Sequence, residues 1–313
     1  MRLSRQPFTI GLIVLLGAAA TMPLWASRYW MLLCLTFCLY LSLAQMWNLL
    51  AGYCGMISLG QQSFIGLGGY TPAVLSVYYG LPLWMGVLCG GVTALVFALL
   101  TAVPLFRMRG VYFAVGTWLT AEVLAVAFSN WSFVRYGMGI VITPAYQLSL
   151  TEMYYAGLVM GIGSTALVFL ILRTDLGLTL MAVRDDEAAA QTVGVDVFRS
   201  KLYGFLIAAF VTGLTAGLIY LHQVFIQPYK AFGIDWTVRL LFIVIIGGIG
   251  TIEGPIVGAV IYIVLRQVFS EYLDVSLLLM GAVAIAVMTV APKGIVGSLQ
   301  ERFGFEILSS RRT

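Results

Sequence analysis

The sequence predicts an all-α, polytopic integral membrane protein of about ten transmembrane segments, some short or broken, with both termini cytoplasmic. Three observations carry that prediction. The 313 residues are 61% hydrophobic with a mean hydropathy of +1.00. Only 10% are charged, against about 25% in soluble domains, and no soluble core hides that much apolar surface. Finally, the charge is concentrated: residues 173–201, RTDLGLTLMAVRDDEAAAQTVGVDVFRSK, hold nine of the 17 basic and 13 acidic side chains.

A span needs about 20 mainly apolar residues. Taken in order, the apolar runs place segments near 8–26, 29–50, 55–79, 82–105, 111–129, 153–172, 202–221, 238–249, 254–270 and 275–291. In the first, Arg2 and Arg5 precede an apolar run ending in MPLWAS, the layout of a secretory signal. Leu24 stands where a cleavage site needs a small residue, so the segment reads as an uncleaved anchor. Cys34, Cys38, Cys54 and Cys89 lie in or beside spans without a C-x-x-C pair, and read as packing residues rather than a disulfide or zinc framework.

Lys and Arg placement orients the chain, because positive loops stay cytoplasmic. Ten spans put Arg2, Arg5, Arg107, Arg109, Arg173, Arg184, Arg199, Lys201, Lys293, Arg302, Arg311 and Arg312 inside, and Arg28, Arg135, Lys230, Arg239 and Arg266 outside. Twelve against five favours this topology, which makes 173–201 a cytoplasmic loop and 292–313 a basic cytoplasmic tail of one transmembrane domain, 1–313. If 55–79 fails to cross, the N-terminus moves outside and the count becomes eleven against six.

Two glycine-rich breaks interrupt the spans. The first, Asn48 to Tyr70, has glycines at 52, 55, 60, 66, 68 and 69 among Ser58, Gln61, Gln62 and Ser63; the second, Gly247 to Ala259, contains Gly250, Glu253, Gly254 and Pro255. Irregular backbone at membrane depth survives only when buried in protein or lining a wet cavity, and paired interruptions often border a transport site. Glycines alone are more often the signature of close helix packing. The polar run favours pathway lining for the first break, since amides facing lipid would go unsatisfied. The second reads either as a tight turn between two short spans or as a re-entrant hairpin. Glu122 is a carboxylate well inside a span, which is costly, and it either lines the pathway or bonds a neighbouring helix, with Arg109 and Arg239 as possible partners.

Within the charged loop, Leu178 to Val193 lacks proline and glycine and stops at Gly194, which predicts one short helix. Arg184, Asp185, Asp186 and Glu187 give it a polar face, and Leu180, Met181, Val183 and Ala188 an apolar one suited to a groove. A phosphate-gripping P-loop ends in Gly-Lys-Ser or Gly-Lys-Thr, but the three lysines, Lys201, Lys230 and Lys293, follow Ser200, Tyr229 and Pro292. The single histidine, His222, leaves little for a histidine-paired nucleophile or a two-histidine metal site and reads as an interfacial polar residue. Any ATP chemistry therefore belongs to another polypeptide.

Four stretches in order, N-L-L-A-G-Y-C-G-M-I-S-L-G (48–60), R-M-R-G-V-Y-F-A (107–114) followed by Glu122, G-L-T-L-M-A-V-R-D-D-E-A-A-A (177–190) and G-G-I-G-T-I-E-G-P-I-V-G-A (247–259), resemble the LivM-type permeases of branched-chain amino-acid ABC importers. The resemblance runs from about Asn48 to Gly297. It implies a non-enzymatic permease half in the bacterial inner membrane, paired with a homologous permease, two cytoplasmic ABC ATPases and a periplasmic solute-binding protein. No cofactor or metal is implied in this chain; ATP and Mg belong to the ATPases. Ser58, Gln61, Ser63, Phe64 and Glu122 are then expected near the substrate pathway. Residues 177–190 look like the loop by which such permeases contact their ATPases, with Arg184, Asp185, Asp186 and Glu187 at the contact.

Two departures bear on cargo: many relatives have histidine where this chain has Gln61, and a Thr-Gly-Gly segment where it reads RYGMGIVITP (135–144). Urea and short-chain amide permeases share the architecture, so those solutes stand beside branched-chain and other hydrophobic amino acids. An ion-coupled transporter using Glu122 is a rival of another class, and an integral membrane enzyme a second, disfavoured by the missing catalytic groups.

Overall fold

A computed structural model describes residues 17–269, 276–291 and 293–303. The start of the first expected segment, and the tail apart from 293–303, lie outside the described residues. The helices are α1 (17–25), α2 (Arg28–Asn48), α3 (Gln61–Tyr79), α4 (Leu83–Leu105), α5 (Val111–Asn130), α6 (Leu150–Leu172), α7 (Asp175–Asp185), α8 (Glu187–Thr192), α9 (Val197–Gln223), α10 (Pro228–Ala231), α11 (Asp235–Gly247), α12 (Gly254–Val268), α13 (Ser276–Val290) and α14 (Gly294–Phe303). A small antiparallel pair, β1 (Ile140–Val141) with β2 (Phe225–Ile226), sets Ile140 opposite Ile226.

The chain is a multi-pass membrane protein. Among the described residues six stretches are long and apolar enough to cross: Arg28–Tyr53, Leu83–Leu105, Val111–Asn130, Leu150–Leu172, Val197–Gln223 and Gly281–Leu299. Local chemistry extends two of them beyond their apolar runs. Helix α6 begins at Leu150 because Ser149 Oγ accepts from the Glu152 amide (3.2 Å) while Glu152 Oε2 accepts from the Ser149 amide (3.0 Å), a capping box. Helix α9 begins at Val197 because Asp196 Oδ1 accepts from the Arg199 amide at 3.0 Å.

Helices α2 and α9 form the centre. Helix α6 packs on α2, and α3 and α4 pack on α9 and on each other. Lipid tails are as apolar as leucine, so close approach of backbones rather than apolar burial must hold such helices together. A Cβ on Gly68 of α3 would lie 2.4 Å from the Gly213 carbonyl oxygen of α9, and one on Gly213 2.8 Å from the Gly90 carbonyl oxygen of α4. Three helices thus meet backbone to backbone.

Helices α11 and α12 pair side by side around the second break. At 13 and 15 residues they rise about 20 and 22 Å, short of the roughly 30 Å hydrocarbon core. Helix α14 folds back against both, so the described start of the tail, at 293–303, is docked on the bundle.

Candidate functional site

The first break starts where α2 ends. Leu49–Tyr53 form a wide π-helical turn, in which the Cys54 amide donates to the Leu49 carbonyl (3.1 Å). The chain then reverses through Gly55, whose φ of +70° suits glycine, and re-enters the bundle. Trp47 Nε1 donates to the Ser58 carbonyl (2.9 Å), and the Leu59 amide donates to Thr117 Oγ1 of α5 (3.1 Å). A Cβ on Gly60 would lie 2.1 Å from the Thr117 carbonyl oxygen, so α3 starts hard against α5. Most of this irregular backbone is covered by protein, as membrane depth requires, with Gly55 and Ile57 left exposed.

Ser58, Gln61, Gln62, Ser63 and Phe64 are all buried at the entry to α3. Gln61 Nε2 donates to Thr212 Oγ1 of α9 (2.7 Å), the Thr237 hydroxyl of α11 donates to Gln62 Oε1, and Ser58 Oγ accepts from the Gly60 amide (3.2 Å). Phe64 sits between Phe97 and Phe205, with ring centroids 6.4 and 5.4 Å away. The amides are thus kept from lipid partly by threonines of other helices, which composition alone does not reveal. Gln61 Oε1, Gln62 Nε2 and Ser63 Oγ have no hydrogen-bond partner among the described residues, and leaving such a group unsatisfied costs about 1–3 kcal/mol. Glu122 stands apart from this cluster: half-buried on α5, it accepts from Trp118 Nε1 at 3.1 Å. The arginine partner considered for it is not Arg239, which lies over the Trp236 ring.

The second break closes onto the first. Asn48 Nδ2 donates to the Thr251 carbonyl (2.8 Å) while Asn48 Oδ1 accepts from the Gly250 amide (2.8 Å), and Gln45 Nε2 donates to the Ile252 carbonyl (2.9 Å). A Cβ on Gly52 would lie 2.6 Å from the Gly250 nitrogen. Asn48, Gln45, Thr212, Thr237 and Thr117 were not singled out from sequence. The usable signal was the Ser42, Gln45, Asn48 spacing, which repeats a polar residue along one side of an otherwise apolar helix.

The charged loop differs from the single helix expected over 178–193. It breaks at Asp186, whose extended backbone (φ −159°, ψ 112°) and side chain cap α8; Asp186 Oδ1 accepts from the amides of Ala188 (2.8 Å) and Ala189 (3.0 Å). Its Ser/Thr/Asp-type capping chemistry competes with helix continuation, and here it wins. Leu180 and Val183, expected to enter a groove, are instead buried within the chain, Leu180 in the bundle core and Val183 in a small cluster with Ala190 and Val197. Glu187 pairs with Lys201 of α9. Arg184 bonds Asp185 (Nε to Oδ1, 2.9 Å) and its Nη1 donates to the Gly52 carbonyl (2.9 Å). Asp185 is open, its side chain 67% exposed against 35% for Arg184 and 36% for Glu187.

Membrane-length helices around a buried polar break, with an exposed charged element keyed into it, define a membrane transport subunit. The family described as "Branched-chain amino acid transport system / permease component" matches residues 29–291, and the chain belongs to it. It is a permease subunit of an ABC importer. The chain is 26% identical over 317 residues to the high-affinity branched-chain amino acid transport system permease protein LivM of Escherichia coli K12, covering 91% of this chain and 74% of that one. The corresponding LivM protein of Salmonella typhimurium LT2 gives the same figures. A probable branched-chain amino acid transport permease protein LivH of Methanocaldococcus jannaschii is 26% identical over 144 residues, 42% of this chain and 44% of that one. No solved structure matches the chain.

Proposed function

We propose that this subunit passes branched-chain amino acids inward across a bacterial inner membrane as one half of a permease pair. Two cytoplasmic ATPases, which hold ATP and Mg, and a periplasmic binding protein complete the importer. Residues 173–201 are its coupling element and face the cytoplasm. The observation that carries this reading is the family match across 29–291, which spans the α2–α3 break, the charged α7–α8 element and the α11–α12 hairpin together. The names of the relatives supply the cargo.

Alternating access then requires the α3 entry to open. Gln61, Ser63 and Phe64, with Ser58 before them, are buried in this conformation, and the unpartnered atoms of Gln61, Gln62 and Ser63 are the polar groups that gain most from a passing solute or water. Glu122, five residues on from the Thr117 that touches Leu59 and Gly60, is the pathway residue we assign to α5, apart from the entry cluster. Shifting such a gate from 1:99 to 99:1 takes about 5.5 kcal/mol of differential stabilisation, which ATP binding between the ATPases supplies.

The test is purification of the tagged chain in mild detergent, identification of its partners, and reconstitution with ATP and the binding protein. The expected result is two P-loop ATPase chains and a second hydrophobic subunit, with ATP-dependent uptake of leucine, isoleucine and valine. Uptake of urea but not of leucine reassigns the cargo. Solute concentration by this chain alone, driven by an ion gradient, overturns the proposal.

A further inference from the structure

We propose that Arg184 is the joint through which α7–α8 moves the two helix breaks: a positioning residue for transport rather than a docking contact. This rests on the coupling role assigned above to residues 173–201.

An arginine on an exposed helix ordinarily points to water. Arg184 points inward instead, its side chain 35% exposed beside the 67% of Asp185. Its target is specific. Helix α2 and its π turn carry no basic residue in their last turns, so the carbonyls at that helix end lack a local counter-charge. Arg184 Nη1 supplies one from 132 residues away, at the Gly52 carbonyl. The stem is also held: a Cβ on Gly55 would lie 3.1 Å from the Arg184 Cα, so only a glycine loop allows the helix to sit this close. Asp185 holds the rest of the guanidinium through Nε and Nη2 (2.9 and 2.8 Å), and fixes its plane.

Beyond Gly52 the contacts continue without a gap. Its α-carbon faces Gly250, where a side chain would meet the backbone nitrogen at 2.6 Å, and Asn48, one turn back, bonds both Gly250 and Thr251. A push on α7–α8 thus reaches the tip of the α11–α12 hairpin through Arg184, Gly52 and Gly250. The other end of the element is tied to α9 by Glu187 and Lys201, and α9 carries the Thr212 that holds Gln61. Backbone contacts this close transmit displacement rather than absorb it.

Two variants of the purified importer, Arg184→Gln and Arg184→Lys, test this in proteoliposomes with L-leucine and the binding protein, ATP hydrolysis and uptake being read separately. The expected result for Arg184→Gln is retention of both ATPase chains with leucine carried per ATP hydrolysed reduced at least tenfold. Arg184→Lys, which keeps the charge but has a single donor nitrogen, recovers part of that ratio. A merely structural residue would lower the yield of complex and leave the ratio unchanged. Hydrogen exchange gives a second readout: amides 49–56 of the wild-type complex change protection when ATP binds, and those of Arg184→Lys change less. An unchanged ratio in the assembled Arg184→Gln complex overturns the inference, as does loss of the ATPases with a normal ratio in what remains. Where Arg184→Gln does not accumulate, wild-type exchange at 49–56 that ignores ATP overturns it. If wild-type protein retains no ATPase at all, the proposed function fails first, and this inference with it.

Discussion

Helices α2 and α9 are 67% buried along their apolar windows; α5, of similar hydropathy, is 28% buried. The two kinds of helix look alike in composition but do different work. The inner pair carries Ser42, Gln45, Asn48, Thr212 and Thr215, each bonded to a neighbour, with Ser42 and Thr215 meeting directly at 2.9 Å. The outer helices turn Leu100, Val103, Val111, Tyr112 and Val123 outward. In lipid, apolar area does not draw helices together, so position is specified by glycine contacts and interhelical hydrogen bonds, while the apolar exterior specifies only the solvent. Glu122 is the exception on the outer side, where its carboxylate accepts from Trp118 Nε1 one turn back on the same helix at 3.1 Å.

The largest break in this comparison comes from Gly213→Val. The new atoms would meet Gly90 and Gly91 backbone and the Ala94 side chain within about 3 Å, and backbone cannot retreat. A loss of about 3 kcal/mol, at the upper end of overpacking, is expected as a lower melting temperature in detergent and reduced membrane levels. Leu100→Val on the outer face, at 71% exposure, should stay within about 0.5 kcal/mol. Equal effects would dissolve the distinction between inner and outer helices.

Asn48→Leu keeps the number and branching of heavy atoms but strips the partner from the Gly250 amide and the Thr251 carbonyl. The expected cost is about 2 kcal/mol, with faster hydrogen exchange confined first to 248–253. Asp186→Ala removes the α8 cap at about 1 kcal/mol, read as faster exchange across 187–192; Asp186→Asn restores most of it, because an amide oxygen still accepts. Leu100→Val apart, the smallest effect is the coupling between Gln61 and Thr212. A double-mutant cycle with Gln61→Leu and Thr212→Val should return about 0.6 kcal/mol, typical of one hydrogen bond between membrane helices.

Much of this architecture is readable from the chain. The apolar runs near 29–50, 82–105 and 111–129 match α2, α4 and α5 to within a few residues. The start of α6 lay in a Ser-x-x-Glu that hydropathy does not score, and that of α9 in Asp196. Asp186 carried a second signal, since an aspartate followed by a short alanine run is a cap as readily as a helix residue. The grouping of Ser58, Gln61, Ser63 and Phe64 was visible as a local cluster; that threonines from α9 and α11 hold its glutamines was not. Likewise the charge of 184–187 was plain, but not that Arg184, Asp186 and Glu187 are engaged within the chain.

Hydropathy and charge are properties of a segment, so the order of residues already marks the chain as a multi-pass helical membrane protein and 173–201 as its most charged stretch. Satisfaction of a buried polar group is a property of a pair, and here the pairs are remote: Asn48 and Gly250 are 202 residues apart, Arg184 and Gly52 132. Only the folded chain brings both breaks and the charged element to one junction, because a membrane interior offers an amide or carbonyl no water to bond and leaves another part of the protein to supply the partner.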